Sequence, residues 1–193
     1  MVALWVVSAT WFWFWWLQPD HIMGLGRFLV VTLPLAWVYF LQLYFVYFLL
    51  RAVRSAAPDP AHGQYRVAMI VTKTPSEPFS VLEPTLRAML AQDYPHDTWL
   101  ADEDPSPETL HWCQQHGVRV STRKGRTDYH RATWPRRTRC KEGNLAFFYD
   151  HWGYRDYDIV SQLDADHVPQ PGYLREMLRP FADPAVGYVS LYF

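Results

Sequence analysis

The sequence predicts an α/β fold, a mostly parallel sheet with flanking helices, preceded by two membrane helices. Two observations support this prediction. Beyond residue 66, short apolar runs alternate with segments of helical periodicity, the order that produces parallel strands joined by crossover helices. Before residue 51, two long runs contain no charged residue, which is typical of segments that lie in a bilayer.

The two uncharged runs cover residues 1–17 and 28–50. A helix needs about 20 apolar residues to cross a bilayer, and about 17 at least, so the second run is long enough and the first only just reaches the limit. Arg51 and Arg54 follow the second run and place that end in the cytoplasm. We therefore predict that residues 1–54 form two transmembrane helices of a multi-pass inner or plasma membrane protein.

The rest of the chain is predicted to be cytosolic. Residues 55–65 are rich in alanine and proline and form a predicted linker, and residues 66–193 form one domain. The formal net charge of −1 gives no support for a nucleic-acid partner. Cys113 and Cys140 show no metal-ligand spacing and suit a reducing compartment.

Strands in the domain are predicted from continuous apolar runs, and helices from apolar residues that recur every three to four positions. Ser106 is a favourable N-cap, and Gly117 ends the helix that Ser106 begins. The predicted strands cover residues 67–71, 99–101, 118–120, 158–163 and 186–191. The predicted helices cover residues 81–91, 107–116, 141–152 and 171–181.

Polar clusters follow three of the predicted strands, at residues 73–77, 102–104 and 164–166. The carboxyl ends of parallel strands meet at one edge of the sheet, where open α/β sheets bind their ligands. Asp164 and Asp166 supply oxygen ligands, which suit Mg²⁺ or Mn²⁺ held by one or two carboxylates plus substrate phosphates. The sequence therefore predicts a metal–diphosphate site at this edge.

Four segments, taken in order, resemble a family 2 glycosyltransferase of the membrane-embedded polysaccharide synthase type related to cellulose synthase. They are Glu77-Pro78 with residues 81–95, Asp102-Glu103-Asp104, Lys141-Glu142-Gly143-Asn144-Leu145 and Asp164-Ala165-Asp166-His167. The resemblance covers about residues 66–189. It implies a GT-A-like, Rossmann-like fold, a nucleotide-sugar donor such as a UDP-sugar, a polysaccharide or lipid-linked acceptor, and membrane lipids as partners.

By this resemblance, Asp164 and Asp166 would hold the metal, Asp166 more directly, and Asp164 would also take part in nucleotide-sugar binding. A metal that bridges the phosphates stabilises the charge that develops on the leaving group. Lys141 would lie beside the phosphates, and Asn144, one turn further along the helix, would hydrogen-bond the nucleotide. Without the resemblance, both would be read as a solvated first turn.

Asp102 would accept a hydrogen bond from the base or ribose of the donor. Glu103 stands where the family has a second aspartate, and the resemblance implies that it also takes part in nucleotide-sugar binding, with a carboxylate whose reach differs from the family pattern. Glu77 either closes the nucleotide pocket or is a surface acid before a proline, and the sequence leaves both readings open.

Residues 119–141 contain nine of the 18 lysines and arginines. A solvated loop is the simplest interpretation of this basic segment. Contact with the donor diphosphate or with anionic lipid headgroups is the second, and contact with nucleic acid is the third.

Polymer-building members of the family carry two further motifs downstream, a carboxylate that acts as general base and a Gln-x-x-Arg-Trp stretch. Neither follows Asp166 in this sequence. We therefore expect a donor-binding portion that is truncated at its C-terminal end and has no catalytic base. The leading hypothesis is an inverting, membrane-bound glycosyltransferase that builds a polysaccharide. The alternatives are a lipid-linked monosaccharide transferase of the same fold and a non-catalytic, membrane-anchored nucleotide-binding or scaffold protein.

Overall fold

A computed structural model describes residues 2–52 and 55–190. Contacts divide the chain into two units, which we describe separately. The first lies within Met1–Arg54 and the second is Ser55–Leu191.

The first unit is a pair of helices, α1 (Val2–Trp16) and α2 (Leu25–Arg51), joined by a short 3₁₀ turn at Pro19–His21. The helices run antiparallel and are held by polar as well as aromatic contacts. The Trp5 indole donates to Gln42 Oε1 at 2.8 Å, and the Trp16 indole donates to the Thr32 hydroxyl at 3.0 Å. Neither helix has a buried residue among those described.

Among the described residues, only α2 is long and apolar enough to cross a membrane. Its 27 residues have a mean hydropathy of 1.9 over the most apolar window. Helix α1 has 15 residues, which at 1.5 Å per residue spans about 22 Å and is shorter than the ~30 Å hydrocarbon core. The structure therefore gives no support to the predicted first transmembrane helix at residues 1–17.

The second unit contains a four-stranded sheet in the order β3-β2-β1-β4, with every neighbouring pair parallel. This confirms the predicted fold class. The strands are β1 (Val67–Lys73), β2 (Asp97–Asp102), β3 (Arg119–Ser121) and β4 (Ile159–Asp164). Each predicted strand from 67 to 163 corresponds to one of them, displaced by at most two residues at either end.

The fifth strand that we predicted at residues 186–191 is wrong for the residues that are described. Residues 186–190 have no strand pairing, and Leu191 lies outside the described residues. The Val186 amide donates to Asp183 O in a turn, and residues 187–189 line a cavity beside β4. An apolar run becomes a strand only when a neighbouring strand pairs with it, and this run follows Pro184 and contains Gly187.

The helices of this unit are α3 (Phe79–Leu90), α4 (Pro107–His116), α5 (Lys141–Phe148), α6 (Tyr154–Asp156) and α7 (Tyr173–Leu178). Ser106 caps α4 as predicted, since its hydroxyl accepts the Thr109 amide at 3.2 Å. The predicted helix at 141–152 changes to a π-helical turn at Tyr149–Gly153, and the one at 171–181 is split between α7 and a 3₁₀ turn at Arg179–Ala182.

The sheet is buried on both faces, because β1 has no accessible residue and divides two apolar clusters. On one side, α3, α4 and α7 pack through residues such as Leu86, Cys113 and Leu174. On the other, Phe148 packs against Ile70 and Trp99. Burial raises the pKa of the Cys113 thiol to about 11, so this thiol is part of the core and not a nucleophile.

Candidate functional site

The predicted site residues come from four elements that end or begin at the same edge of the sheet. Strand register places Lys73 beside Asp102 and Thr72 beside Asp164. The last residues of β1, β2 and β4 therefore lie side by side. Helix α5 begins next to them at Lys141. The convergence predicted from the strand-end clusters is therefore present at this edge.

Lys141 links two of the predicted site residues. Its Nζ lies 3.0 Å from Asp164 Oδ1 and 3.1 Å from Glu77 Oε1, a contact that we call the Lys141 bridge. The other Glu77 oxygen accepts from the Thr74 amide at 2.7 Å and from the Thr74 hydroxyl at 3.0 Å. Glu77 is thus fixed in the site and is not an isolated surface acid.

The bridge remains charged at neutral pH. Partial burial alone would raise the pKa of Glu77. The hydrogen bonds from the Thr74 amide and the Lys141 ammonium lower it by more, so the pKa lies below its usual value. Partial burial lowers the pKa of Lys141, and the hydrogen bonds to Asp164 and Glu77 outweigh this, so its net shift is upward. Both shifts favour the ionised forms.

The Asp164–Asp166 turn has a buried centre and exposed carboxylates. Ala165 is buried, and its carbonyl accepts the buried Thr85 hydroxyl at 2.8 Å. The His167 amide donates to Asp164 O at 3.1 Å and closes the turn. Asp166 is exposed and has no side-chain partner within the described part of the chain. Thr85 therefore holds the turn while both carboxylates stay accessible.

Buried polar side chains also end β2 and β3 at this edge. Asp102 Oδ2 pairs with the Lys73 ammonium at 3.1 Å, and Asp102 Oδ1 accepts the Asp104 amide at 3.1 Å, so both carboxylate oxygens have partners. Ser121 Oγ, at the end of β3, is buried and has no hydrogen bond to any described residue. A buried polar atom without a hydrogen bond is costly, so Ser121 Oγ is a candidate for a ligand contact.

Glu103 is buried and pairs with Arg123, whose side chain has no exposed surface. The pair distance is 2.9 Å, and Glu103 also accepts the Arg139 amide at 2.7 Å and lies 3.3 Å from His130 Nε2. The Arg123 guanidinium also donates hydrogen bonds to four other oxygen atoms. These are Asn144 Oδ1 and the carbonyl oxygens of Tyr129, Arg137 and Cys140.

Asn144 is buried, and both ends of its amide have protein partners. Oδ1 accepts from Arg123 Nε at 2.7 Å, while Nδ2 donates to Lys73 O at 2.9 Å and to Ala101 O at 3.4 Å. These bonds tie α5 to the ends of β1 and β2. The contact with the nucleotide that we predicted for Asn144 stays a prediction, as does that for Glu103, because both side chains serve the internal network.

Gly143 is required by this network. A Cβ at this position would lie 2.6 Å from Arg123 Cζ and 2.6 Å from Arg137 O, well inside van der Waals contact. We expect Gly143→Ala to lower the free energy of unfolding by about 1 to 3 kcal/mol, the usual cost of overpacking. Gly187→Ala, where a Cβ would meet nothing within 4 Å, should leave it unchanged. Equal unfolding midpoints for the two variants would contradict this reading.

The basic segment is largely neutralised by acids. Seven of its nine cations form ion pairs, and within the described residues only Arg131 and Arg139 have no acidic partner. The structure therefore favours an ordered, internally paired loop over a broad cationic surface for nucleic acid or headgroups.

The described residues hold no group of three His, Cys, Asp or Glu side chains that could bind a metal on its own. Asp164 and Asp166 nevertheless fit a hard cation, because they are two accessible carboxylates on a fixed turn. Such a partial set suits Mg²⁺ or Mn²⁺, which commonly takes its remaining ligands from substrate phosphates and water.

Three residues of this edge were missed by the reasoning from sequence, namely Thr85, Ser121 and Arg123. For two of them a signal existed. Residues 121–124 follow the predicted strand at 118–120 just as the three recognised clusters follow their strands, so the same rule would have found Ser121 and Arg123. Thr85 lies in the middle of α3 and carries no such signal.

Comparison with known proteins finds a match among solved structures. No family model matches the chain, and no curated protein does. Among solved structures, the chain is similar to a mannosyltransferase from Pyrobaculum calidifontis in complex with GDP-Man and Mn²⁺, with a TM-score of 0.55 and 23% identity. The match covers 77% of this chain and 41% of that one, so the chain spans about two-fifths of its neighbour's length. The likeness shows that the chain shares the fold of this glycosyltransferase.

Proposed function

We propose that this chain binds a nucleotide-sugar through a divalent cation and forms the donor side of a membrane-anchored, inverting hexosyltransferase of family 2, the polysaccharide synthase type. The observation that carries the proposal is the edge itself. Lys141, Asp164 and Asp166 present one cation and two accessible carboxylates at the sheet edge where Asp102 ends β2 and Ser121 ends β3. Ser121 Oγ is buried there without a hydrogen bond to any described residue.

Each group has a chemical role in this proposal. Asp164 and Asp166 would hold Mg²⁺ or Mn²⁺, which stabilises negative charge on a departing diphosphate when it is bound. Lys141 would add a positive charge beside the phosphates, and Glu77 would orient Lys141. Asp102 and Ser121 would meet the nucleoside, whose hydroxyl and imide groups can hydrogen-bond to Ser121 Oγ and share the Asp102 carboxylate with Lys73.

Glu103 and Asn144 stay candidates for contact with the nucleotide, and they would also hold the site together. Through Arg123 they join the loop after β2 to the first turn of α5, and therefore fix where Asp102 and Lys141 lie. Among the described residues we assign no carboxylate as an acceptor-side base, so we limit the activity proposed for this chain to donor binding.

The donor base and the acceptor remain part of the proposal. The family resemblance favours a UDP-sugar and a growing polysaccharide. The structural neighbour was solved with GDP-Man, which makes a guanosine donor the alternative to UDP. A lipid-linked monosaccharide transferase of the same fold is the second candidate for the acceptor side. We further propose attachment to the membrane through α2, with Arg51 at its cytoplasmic end and the α/β unit in the cytoplasm.

The function is tested by titrating UDP and GDP onto the purified full chain in detergent micelles, with Mn²⁺ or with a chelator. We expect one of the two nucleotides to bind in the presence of Mn²⁺, and we expect this binding to be lost when the chelator removes the metal. Preference for UDP would favour the donor that the family resemblance implies, and preference for GDP a donor like that of the structural neighbour. If neither bound, or if chelation changed nothing, the proposed function would be wrong.

A further inference from the structure

We propose that Lys141 masks Asp164 until a nucleotide arrives, so that cation and nucleotide bind as a coupled pair. This inference rests on the proposed function and concerns how the site is filled. It starts from an asymmetry between the two metal-binding carboxylates. Asp166 has no side-chain partner in the described chain, whereas Asp164 is already neutralised by the Lys141 ammonium.

The Lys141 bridge holds the ammonium against Asp164 from two sides. Nζ lies 3.0 Å from Asp164 Oδ1 and 3.1 Å from Glu77 Oε1, and Glu77 is itself fixed by the Thr74 amide and hydroxyl. Lys141 is not locked in the core, however, because 36% of its side chain is exposed. A lysine side chain is flexible, and at this exposure its ammonium group can change partners without unfolding the site.

Repulsion between like charges then opposes a cation that arrives alone. A divalent ion at Asp164 would face the ammonium at close range, and at about 4 Å two unit charges interact noticeably even in water. A pyrophosphate offers Lys141 a second anionic partner. Once Lys141 turns to the phosphates, Asp164 is available to the metal, and the phosphates can complete the coordination. Nucleotide and metal should therefore strengthen each other's binding by the same factor.

The test is Lys141→Met, which removes the charge and keeps the length of the side chain. Binding of Mn²⁺ alone to the full chain is followed by loss of the electron paramagnetic resonance signal of the free ion, with and without the preferred nucleotide. We expect the variant to bind Mn²⁺ alone about fivefold more tightly, the ratio that corresponds to a half-exposed ion pair. We also expect it to bind nucleotide more weakly in the presence of Mn²⁺, so that the coupling between the two ligands falls.

Three further variants make the result specific. Lys124→Met removes the other lysine of the basic segment 119–141, whose Nζ pairs with Asp104 at 2.6 Å. This variant should leave the Mn²⁺ affinity unchanged. Lys141→Arg keeps the charge and should not tighten Mn²⁺ binding. In the double variant Lys141→Met with Asp164→Asn, the tighter binding of Mn²⁺ should disappear, because it depends on the release of the Asp164 carboxylate.

The two proposals fail in different ways. If the unaltered chain bound no nucleotide with Mn²⁺, the proposed function would fail. If it bound nucleotide, but Lys141→Met had unchanged Mn²⁺ affinity and unchanged coupling, the function would stand and the masking role of Lys141 would be overturned. An equal gain in Lys124→Met would also overturn it, because the effect would then be one of overall charge.

Discussion

Replacing Arg123 by methionine should lower the free energy of unfolding of the α/β unit by about 3 to 5 kcal/mol, the usual cost of removing one partner from a buried ion pair. The variant leaves Glu103 buried without its cation, and leaves Asn144 Oδ1 without its donor. It also releases the carbonyls of the 129–140 loop, because Arg123 is the donor to three of them. For a unit of this size we expect the midpoint of thermal unfolding to fall by about 10 °C or more.

The matched control is Arg155→Met, which removes an exposed arginine paired with the adjacent Asp156. Exposed pairs are screened by water, so this variant should unfold at nearly the same temperature as the unaltered chain. Replacing Arg123 and Glu103 together by methionine should recover part of the loss, since no charge is then buried alone. If Arg123→Met unfolded like Arg155→Met, the internal network would not support the site.

Asp166→Ala should weaken Mn²⁺-dependent binding of the nucleotide by about 100-fold or more, because even supporting residues around a metal typically contribute 10- to 100-fold to its affinity. Asp166 is exposed and bonds to no described side chain, so its removal should not affect stability. The experiment is a titration of the preferred nucleotide at fixed Mn²⁺, with the thermal midpoint recorded for the same sample.

Asp183→Ala is the comparison variant, because Asp183 is an exposed acid of the same unit whose carboxylate accepts the Ala185 amide at 2.9 Å. It should keep the nucleotide affinity of the unaltered chain. A variant at Asp166 that retained full Mn²⁺-dependent binding would remove the acidic turn from the site and favour a scaffold function.

The sheet and its binding edge could be predicted because both depend on short-range patterns. A fully buried parallel strand such as Val67–Lys73 needs a continuous apolar run, and polar residues directly after such runs must lie at the carboxyl edge. The resemblance predicted Lys141 beside the phosphates, and the structure has it at this edge, next to Asp164. The order of the strands was not predicted.

What could not be predicted depends on contacts between distant segments. The bonds that Glu103 and Asn144 make to Arg123 were not predicted, because nothing nearby in the sequence shows that Arg123 would be buried between them. The run at residues 186–191 had strand composition, but composition does not supply a neighbouring strand. Of the two predicted membrane helices, α2 alone among the described residues has the length of a full crossing, and the first span stays a prediction.

The central claim is that the ends of β1, β2 and β4 and the start of α5 form one site for a metal–nucleotide complex. The most direct test is a crystal structure of the full chain with Mn²⁺ and the preferred nucleotide, recorded at a wavelength where manganese scatters anomalously. We predict an anomalous peak between Asp166 and Asp164, with the pyrophosphate beside Lys141 and the nucleoside against Asp102 and Ser121. Manganese and nucleotide bound at another face of the unit would contradict the claim.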